Sequence, residues 1–315
     1  MTATVILESD ATREEWLAAR RLGVTGTDIS AILSANPWTT PLDVWLEKTG
    51  RGTPVRMNDA MRRGTDLEPT IVKWAHRHLE EAYGGRWWIE YDDLPLLVAH
   101  PDRPLLLGSM DALAHSKDGT WLIEAKTGKH ADLLTGVPPH YVAQAQWYLG
   151  VTGLDRGLLA AFAAMDEGYH PLDADPEWFT AATGYAEQWW QRHVVADEPP
   201  PADPDRDAAA IAAMRTPDPE LAAELDPGVA MELLRAHQAR KAADEAYKAA
   251  EAAVKAALGD ATTATLDGSI VATWTRSTSR RLDQRRLKTD HPDLVADYLT
   301  EITSDRFLTK QRKGA

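Results

Sequence analysis

The chain has 315 residues, with 34 Lys and Arg against 48 Asp and Glu, a formal charge of −14 and no cysteine. That length exceeds one minimal core and predicts a main domain with an appendage. The missing thiols exclude disulfides, thiolate zinc sites, iron–sulfur clusters and cysteine nucleophiles.

No run approaches the roughly 18 apolar residues of a membrane helix. The opening stretch MTATVILESDATREEW lacks the basic and apolar regions of a signal peptide. The expectation is therefore a soluble, cytoplasmic-type protein with no membrane partner. An acidic chain is a poor coat for nucleic acid through bulk charge, although a metal site built from carboxylates beside a local basic track is compatible with that total.

In chain order, Thr12-Arg-Glu-Glu15 reads as a capping box that starts a helix running to about Arg21. Short helices are predicted over 27–33 and 41–48. A longer one over 67–82 carries Ile71, Trp74, Ala75 and Leu79 on one face. Strands follow at 86–91, 105–114 and 120–125, then a helix at 142–149, a strand at 157–163 and a helix at 176–193. The pattern predicts an α/β fold with a central sheet flanked by helices over residues 1–198. Residues 199–228 are rich in Pro, Asp and Ala and read as an acidic linker with room for short helical pieces. Residues 229–315 read as an accessory region: one long helix at 231–258 stopped by Gly259, a hairpin around Asp267–Gly268, a short helix near 292–303 and a basic tail.

The chemistry concentrates in Gly-Ser-Met-Asp111 and Trp-Leu-Ile-Glu124-Ala-Lys126. Asp111 is placed near the middle of one predicted strand. Glu124 and Lys126, two apart on the next, point to the same face. If the two strands pair antiparallel through the turn at 115–119, Asp111 comes alongside Glu124. Two carboxylates and the Ala125 carbonyl then offer an oxygen-rich cup, which suits Mg²⁺ or Mn²⁺ rather than zinc. Lys126 beside such an ion can orient an attacking water or lower its pKa, as phosphodiester hydrolysis requires. The apolar run Leu122, Ile123 and Ala125 predicts that Glu124 is partly buried and needs a partner.

Asp111 with Glu124-Ala-Lys126 resembles the core of the PD-(D/E)XK nucleases, and further segments narrow the likeness. Trp16-Leu-Ala-Ala-Arg20-Arg21 through Thr27-Asp28, followed by Ala-Asn-Pro-Trp-Thr-Thr-Pro, resembles the opening of the YqaJ-type viral recombinases, the family that includes phage lambda exonuclease. Gly64-Thr-Asp-Leu-Glu68 is similar to its Gly-x-x-x-Glu helix, and Gln144-Ala-Gln146 to its Gln-x-Gln helix. The likeness spans about residues 13–195.

The resemblance implies a PD-(D/E)XK core. It also implies a Mg²⁺- or Mn²⁺-dependent exonuclease that digests linear double-stranded DNA from its ends, 5′ to 3′, leaving 3′ strands for a single-strand annealing protein, with a ring-forming homo-oligomer as the assembly. It assigns Asp111 and Glu124 as metal-binding carboxylates, Lys126 as the catalytic lysine and Glu68 as a further ligand. Gln144 would position the water or scissile phosphate, and Arg20 and Thr27 would contact a 5′-phosphate. Threonine stands where the family usually has serine. Arg21 beside Arg20 leaves the phosphate receptor open by one position. Gln144 and Gln146 face different directions, so only one is expected to point inward. Two other readings stand beside this one: an endonuclease of the same superfamily, and a non-catalytic DNA-end-binding scaffold.

Of the 12 tryptophans, Trp87–Trp88 and Trp189–Trp190 read as packing residues, while Trp38 sits in a loop that could reach a DNA end. In the tail, Arg276, Arg280, Arg281, Arg285, Arg286, Lys288, Arg306, Lys310, Arg312 and Lys313 give a locally positive stretch suited to DNA-backbone contact.

Overall fold

The computed structural model describes residues 3–52, 57–215, 218, 220–300 and 308–309. The chain divides into two units, Met1–Thr216 and Pro217–Ala315.

The first unit opens with β1 (Thr4–Leu7), a short strand that the sequence pattern does not announce. α1 (Arg13–Arg20) starts at the predicted capping box: the Thr12 hydroxyl accepts from the Glu15 amide at 3.2 Å, and the Glu15 carboxylate accepts from the Thr12 amide at 2.8 Å. Thr25 with Asp28 opens α2 (Gly26–Ile32) in the same way, and Thr40 with Asp43 opens α3 (Pro41–Lys48). Helices this short do not persist alone. Their caps and the burial of Ile29, Leu42 and Trp45 hold them.

α4 (Asp59–Tyr83) begins well before the predicted start at 67, because the Asn58 side chain accepts from the Met61 amide at 2.9 Å and caps the helix there. Pro69 lies inside α4 and forfeits one ladder bond. Burial of Ile71, Val72, Ala75 and Leu79 carries the helix past it. Glu68 is therefore a mid-helix residue, not one of the first turn, so complementing the helix dipole does not explain it.

The main sheet has the order β2 (Trp88–Glu90), β5 (Ala112–Ser116), β6 (Gly119–Gly128), β7 (Arg156–Ala163), β8 (Asp166–Asp173). β6 and β7 run parallel, and the other pairs are antiparallel. The parallel pair is bridged by α5 (Asp132–Thr135) and α6 (Pro139–Thr152). A smaller antiparallel sheet holds β1, β3 (Leu97–His100) and β4 (Arg103–Gly108). The architecture is thus the expected central mixed sheet flanked by helices, with α4 packed on β6 and β7 and α6 packed against strands of both sheets.

One expectation is corrected. The predicted strand at 105–114 is two strands: β4 ends at Gly108 in the small sheet, and β5 begins at Ala112 in the large one. Asp111 falls in the break, not in mid-strand. The apolar pattern runs on through the break because both strands are buried, and the change of sheet is a tertiary event that periodicity does not register. Trp88 also departs from the packing role read for it, since it is exposed on the edge strand while Trp87 is buried.

α7 (Pro176–Trp189) is followed by a π-helical turn, Trp190–Val195. The stretch expected to be a linker is divided. Its first part folds onto the core: Asp207 is 1% exposed and accepts from the Thr40 hydroxyl at 2.6 Å, Arg206 donates to the Asn36 carbonyl at 2.7 Å, and α8 (Ala208–Met214) follows. Composition places Asp207 in the acidic linker, whereas the fold buries it against Thr40.

In the second unit, Asp226 caps α9 (Pro227–Leu258), accepting from the Gly228 amide at 2.8 Å. β9 (Thr263–Leu266) and β10 (Ser269–Thr273) form the predicted hairpin. Asp267 and Gly268 both have positive φ, 48° and 79°, the backbone of a type I′ turn. α10 (Gln284–Asp290) and α11 (Pro292–Asp297) follow. Arg276, Arg280, Arg281, Arg285, Arg286 and Lys288 are exposed; Arg306, Lys310, Arg312 and Lys313 lie outside the described residues. Among the described residues no helix is long and apolar enough to cross a membrane.

Candidate active site

The antiparallel pairing of β5 with β6, which sets Ala112 opposite Ile123, brings Asp111 to the middle of β6. There its Oδ2 accepts from the Ala125 amide at 2.8 Å, so the carboxylate extends the strand ladder by one rung. Glu124 and Lys126 share a face of β6, as alternation demands. The Lys126 ammonium donates to Glu124 Oε1. Gln144, one turn into α6, donates to the same oxygen at 2.6 Å. Glu68 reaches the cluster from α4 and accepts from the Tyr91 hydroxyl at 3.1 Å.

Glu124 is 1% exposed, and its second oxygen, Oε2, is buried without a hydrogen-bond partner. Burial raises its carboxyl to about 8, helped by the negative charge of Asp111. Glu68 is raised to about 7 by burial and then by Asp111. Asp111 is raised by burial against the pull of Lys126. Burial alone would neutralise Lys126, but Glu124 and Asp111 outweigh it and hold the amine charged. Three carboxyls, Glu68, Asp111 and Glu124, thus share one ammonium, and their full ionisation needs more positive charge than Lys126 brings.

Among the described residues, no three His, Asp or Glu side chains are drawn into a finished metal cage. Of the predicted ligands, Glu124 holds the Lys126 ammonium, Asp111 bonds the Ala125 amide, and Glu68 feels the charges of Asp111 and Lys126 from α4. The orphaned Glu124 Oε2, the all-oxygen donor set and the raised carboxyls fit a hard divalent cation. The folded protein holds protons that the unfolded chain releases above the ordinary glutamate value of 4.5, so without metal it loses stability as pH rises from there through about 8. Mg²⁺ or Mn²⁺ at one fixed concentration, about a hundredfold above its Kd at pH about 9, should raise the melting temperature by about 5–10 °C there and by much less at pH about 5, where protons compete for the carboxylates. An equal gain at both pH values, in a thermal-shift assay, would show that these carboxylates do not hold the ion.

Arg20 and Arg21, left open by the sequence, are separated by the fold. Arg21 is exposed at the end of α1, whereas Arg20 is half-buried. Its guanidinium lies 4.6 Å from the Trp16 ring centre and donates to the Thr25 hydroxyl at 3.3 Å. Its Nε is buried without a partner. Thr27 is half-buried in the first turn of α2, where its carbonyl accepts from the Ser30 hydroxyl at 2.7 Å. Both glutamines point inward, contrary to expectation, but to different ends. Gln146 donates to the Asp173 carbonyl and accepts from the Asp175 amide, each at 2.8 Å, fastening α6 to the end of β8.

Four further residues, none given a role by the motifs, complete the site. Tyr148 is four residues after Gln144 on the same helix face, and its hydroxyl accepts from the Gln144 amide at 3.4 Å. Its phenol is raised by burial and by Glu124, while Arg20 pulls the other way, so Tyr148 joins the carboxylate cluster to Arg20. Gly26 permits this: a Cβ there would lie 2.7 Å from the Tyr148 ring and 2.9 Å from Gln144 Cγ. Lys48 and Asp28 form a buried ion pair at 2.6 Å, and Lys48 also donates to the Arg20 carbonyl at 2.8 Å. The i, i+4 spacing of Gln144 and Tyr148 was visible in the sequence; the Gly26 contact and the Lys48–Asp28 pair are long-range and were not.

Residues 15–155 match the family described as the YqaJ-like viral recombinase domain, a segment that contains Arg20, Glu68, Asp111, Glu124, Lys126, Gln144 and Tyr148. The uncharacterized protein YqaJ of Bacillus subtilis (strain 168) is 27% identical over 319 residues, covering 96% of each chain. The uncharacterized protein R354 of Acanthamoeba polyphaga mimivirus is 26% identical over 158 residues, 45% of this chain and 27% of that one. Among solved structures, the alkaline exonuclease LHK-Exo from Laribacter hongkongensis is similar over 58% of this chain and 93% of its own, at 19% identity and a TM-score of 0.46.

Proposed function

We propose, from the premise that residues 15–155 are a YqaJ-like viral recombinase domain, that the protein is a phage-type, metal-dependent deoxyribonuclease. Its substrate is linear double-stranded DNA, digested from the ends in the 5′ to 3′ direction. The 3′ strands it leaves pass to a single-strand annealing partner, and a ring of identical subunits is the assembly this reading expects.

The observation that carries the reading is the buried cluster of Asp111, Glu124 and Lys126 with one glutamate oxygen left without a partner. Bound there by Glu68, Asp111, Glu124 and the Ala125 carbonyl, Mg²⁺ or Mn²⁺ would polarise the scissile phosphate and its attacking water. Lys126 holds a positive charge at fixed distance from the reacting phosphate, and the buried setting strengthens its hold on the developing negative charge. Gln144 fixes the orientation of Glu124 and offers its amide to the water. Arg20, braced by Trp16 and Thr25, receives a terminal phosphate through its free Nε, with Thr27 as a neighbouring hydroxyl donor.

A linear duplex labelled at its 5′ end should be shortened only with Mg²⁺ or Mn²⁺, while covalently closed circles stay intact. Cutting of closed circles would replace this reading with an endonuclease, and binding without cutting would replace it with a scaffold. The end preference has its own test. A charged hydrogen bond contributes about 1.5–3 kcal/mol, so Arg20→Ala should shrink the rate advantage of 5′-phosphate over 5′-hydroxyl ends by about 10- to 150-fold. An unchanged ratio removes Arg20 from that role.

A further inference from the structure

Trp38 is 70% exposed, an unusual position for the largest apolar side chain. Its loop is braced. The buried Asn36 side chain accepts from the Trp38 and Thr39 amides at 2.9 and 3.0 Å, and donates to the Ser30 hydroxyl at 3.1 Å. Arg206 holds the Asn36 and Thr39 carbonyls from the other side, at 2.7 and 3.2 Å. A ring held in solvent by a fixed backbone has lost its freedom before any ligand arrives, which lowers the cost of binding.

One side of the Trp38 ring is occupied. It meets His140 nearly edge-on, with ring centres 5.0 Å apart at 85°. His140 packs on Tyr141 at 4.0 Å, and the Lys126 ammonium lies 5.2 Å from the Tyr141 ring centre. A row of three rings thus leads from the catalytic amine to the open side of Trp38. His140, 9% exposed, has its Nε2 buried with no partner.

We propose that Trp38 is a stacking platform for a nucleobase next to the phosphodiester cut at Glu124 and Lys126, with His140 Nε2 as a polar contact to that nucleotide. The inference rests on the nuclease reading and adds to it a residue that grips the base where that reading supplies only phosphate contacts. Every base has a π-face, so such a platform is indifferent to sequence, as an enzyme working along a strand needs.

The test uses the full chain with Ca²⁺ replacing Mg²⁺, and duplexes carrying 2-aminopurine at the first, second or third nucleotide of the 5′ strand. The wild type should quench the probe at one of the first two positions. Trp38→Ala should lose that quenching and bind ends about tenfold or more weakly, from the roughly 1–3 kcal/mol of a base–aromatic stack. Trp38→Phe should recover most of both. Removing the base at the quenched position should weaken wild-type binding and leave Trp38→Ala unaffected. A penalty for Trp38→Ala that persists on the abasic end assigns the residue a structural role and overturns the proposal, as does unchanged quenching in a wild type that digests DNA. A wild type that neither binds nor digests linear duplex removes the nuclease reading itself, and the platform with it.

Discussion

Lys126→Ala should slow hydrolysis of linear duplex DNA by about a hundred- to a thousandfold, the scale of losing a preorganised donor at a reacting centre. Binding of the duplex in Ca²⁺ should survive, because Arg20 lies outside the Lys126–Glu124 pair. The variant also removes one of the two hydrogen-bond donors to a fully buried carboxylate. Glu124 will then keep its proton to still higher pH, so Lys126→Ala should be less stable than the wild type above pH about 8 and little changed at pH about 5. Lys126→Arg keeps the charge in a different shape and should recover stability more than rate. Hydrolysis at the wild-type rate in a folded Lys126→Ala protein would sink the assignment of chemistry to this cluster.

Lys48→Ala should cost about 3–5 kcal/mol of folding stability, the scale of breaking a fully buried ion pair. Lys48 has no side-chain exposure, and its partner Asp28 has 4%. Burial pushes the Asp28 carboxyl up, yet Lys48 and Arg20 together bring it below the ordinary range. Asp28 also completes the capping box of α2, accepting from the Thr25 amide and hydroxyl at 2.8 Å. Without Lys48 the charge stays buried beside a single guanidinium, and the end of α1 loses its tether through the Arg20 carbonyl. Two readouts are therefore expected to move together: the urea midpoint, and the preference for 5′-phosphorylated ends. A loss under about 1 kcal/mol would place the pair among the surface type.

What the residue pattern made legible, and what it did not, follows from the range of the forces involved. The caps at Thr12, Thr25 and Thr40 are local, so most short helices were readable within a residue or two. Glu124 and Lys126 were placed on one face by alternation alone. The predicted start at 67 puts Glu68 in a first turn, because the apolar face begins only there, while the Asn58 cap starts the helix eight residues earlier and the fold spends one hydrogen bond at Pro69. Asp111 was given to a continuous strand because burial on both sides of a sheet change leaves the same apolar signature. Asp207 reads as linker because composition does not reveal that the Thr40 hydroxyl, far away in sequence, donates to it. The ion pair of Lys48 with Asp28 and the Gly26–Tyr148 approach have no local signature at all.

The rung made by Asp111 on Ala125 has a consequence for how such chains vary. It pins the open end of the β5–β6 hairpin, while the turn that joins the strands lies at the other end, beyond Ser116 and Gly119. Adding residues at that tip, or one matched pair to each strand, leaves the acidic centre undisturbed. A lone insertion between Ala112 and Glu124 within a strand turns the glutamate to the opposite side. The count of residues separating the two acids therefore records hairpin length rather than chemistry, and homologous proteins are free to drift in it without losing the centre.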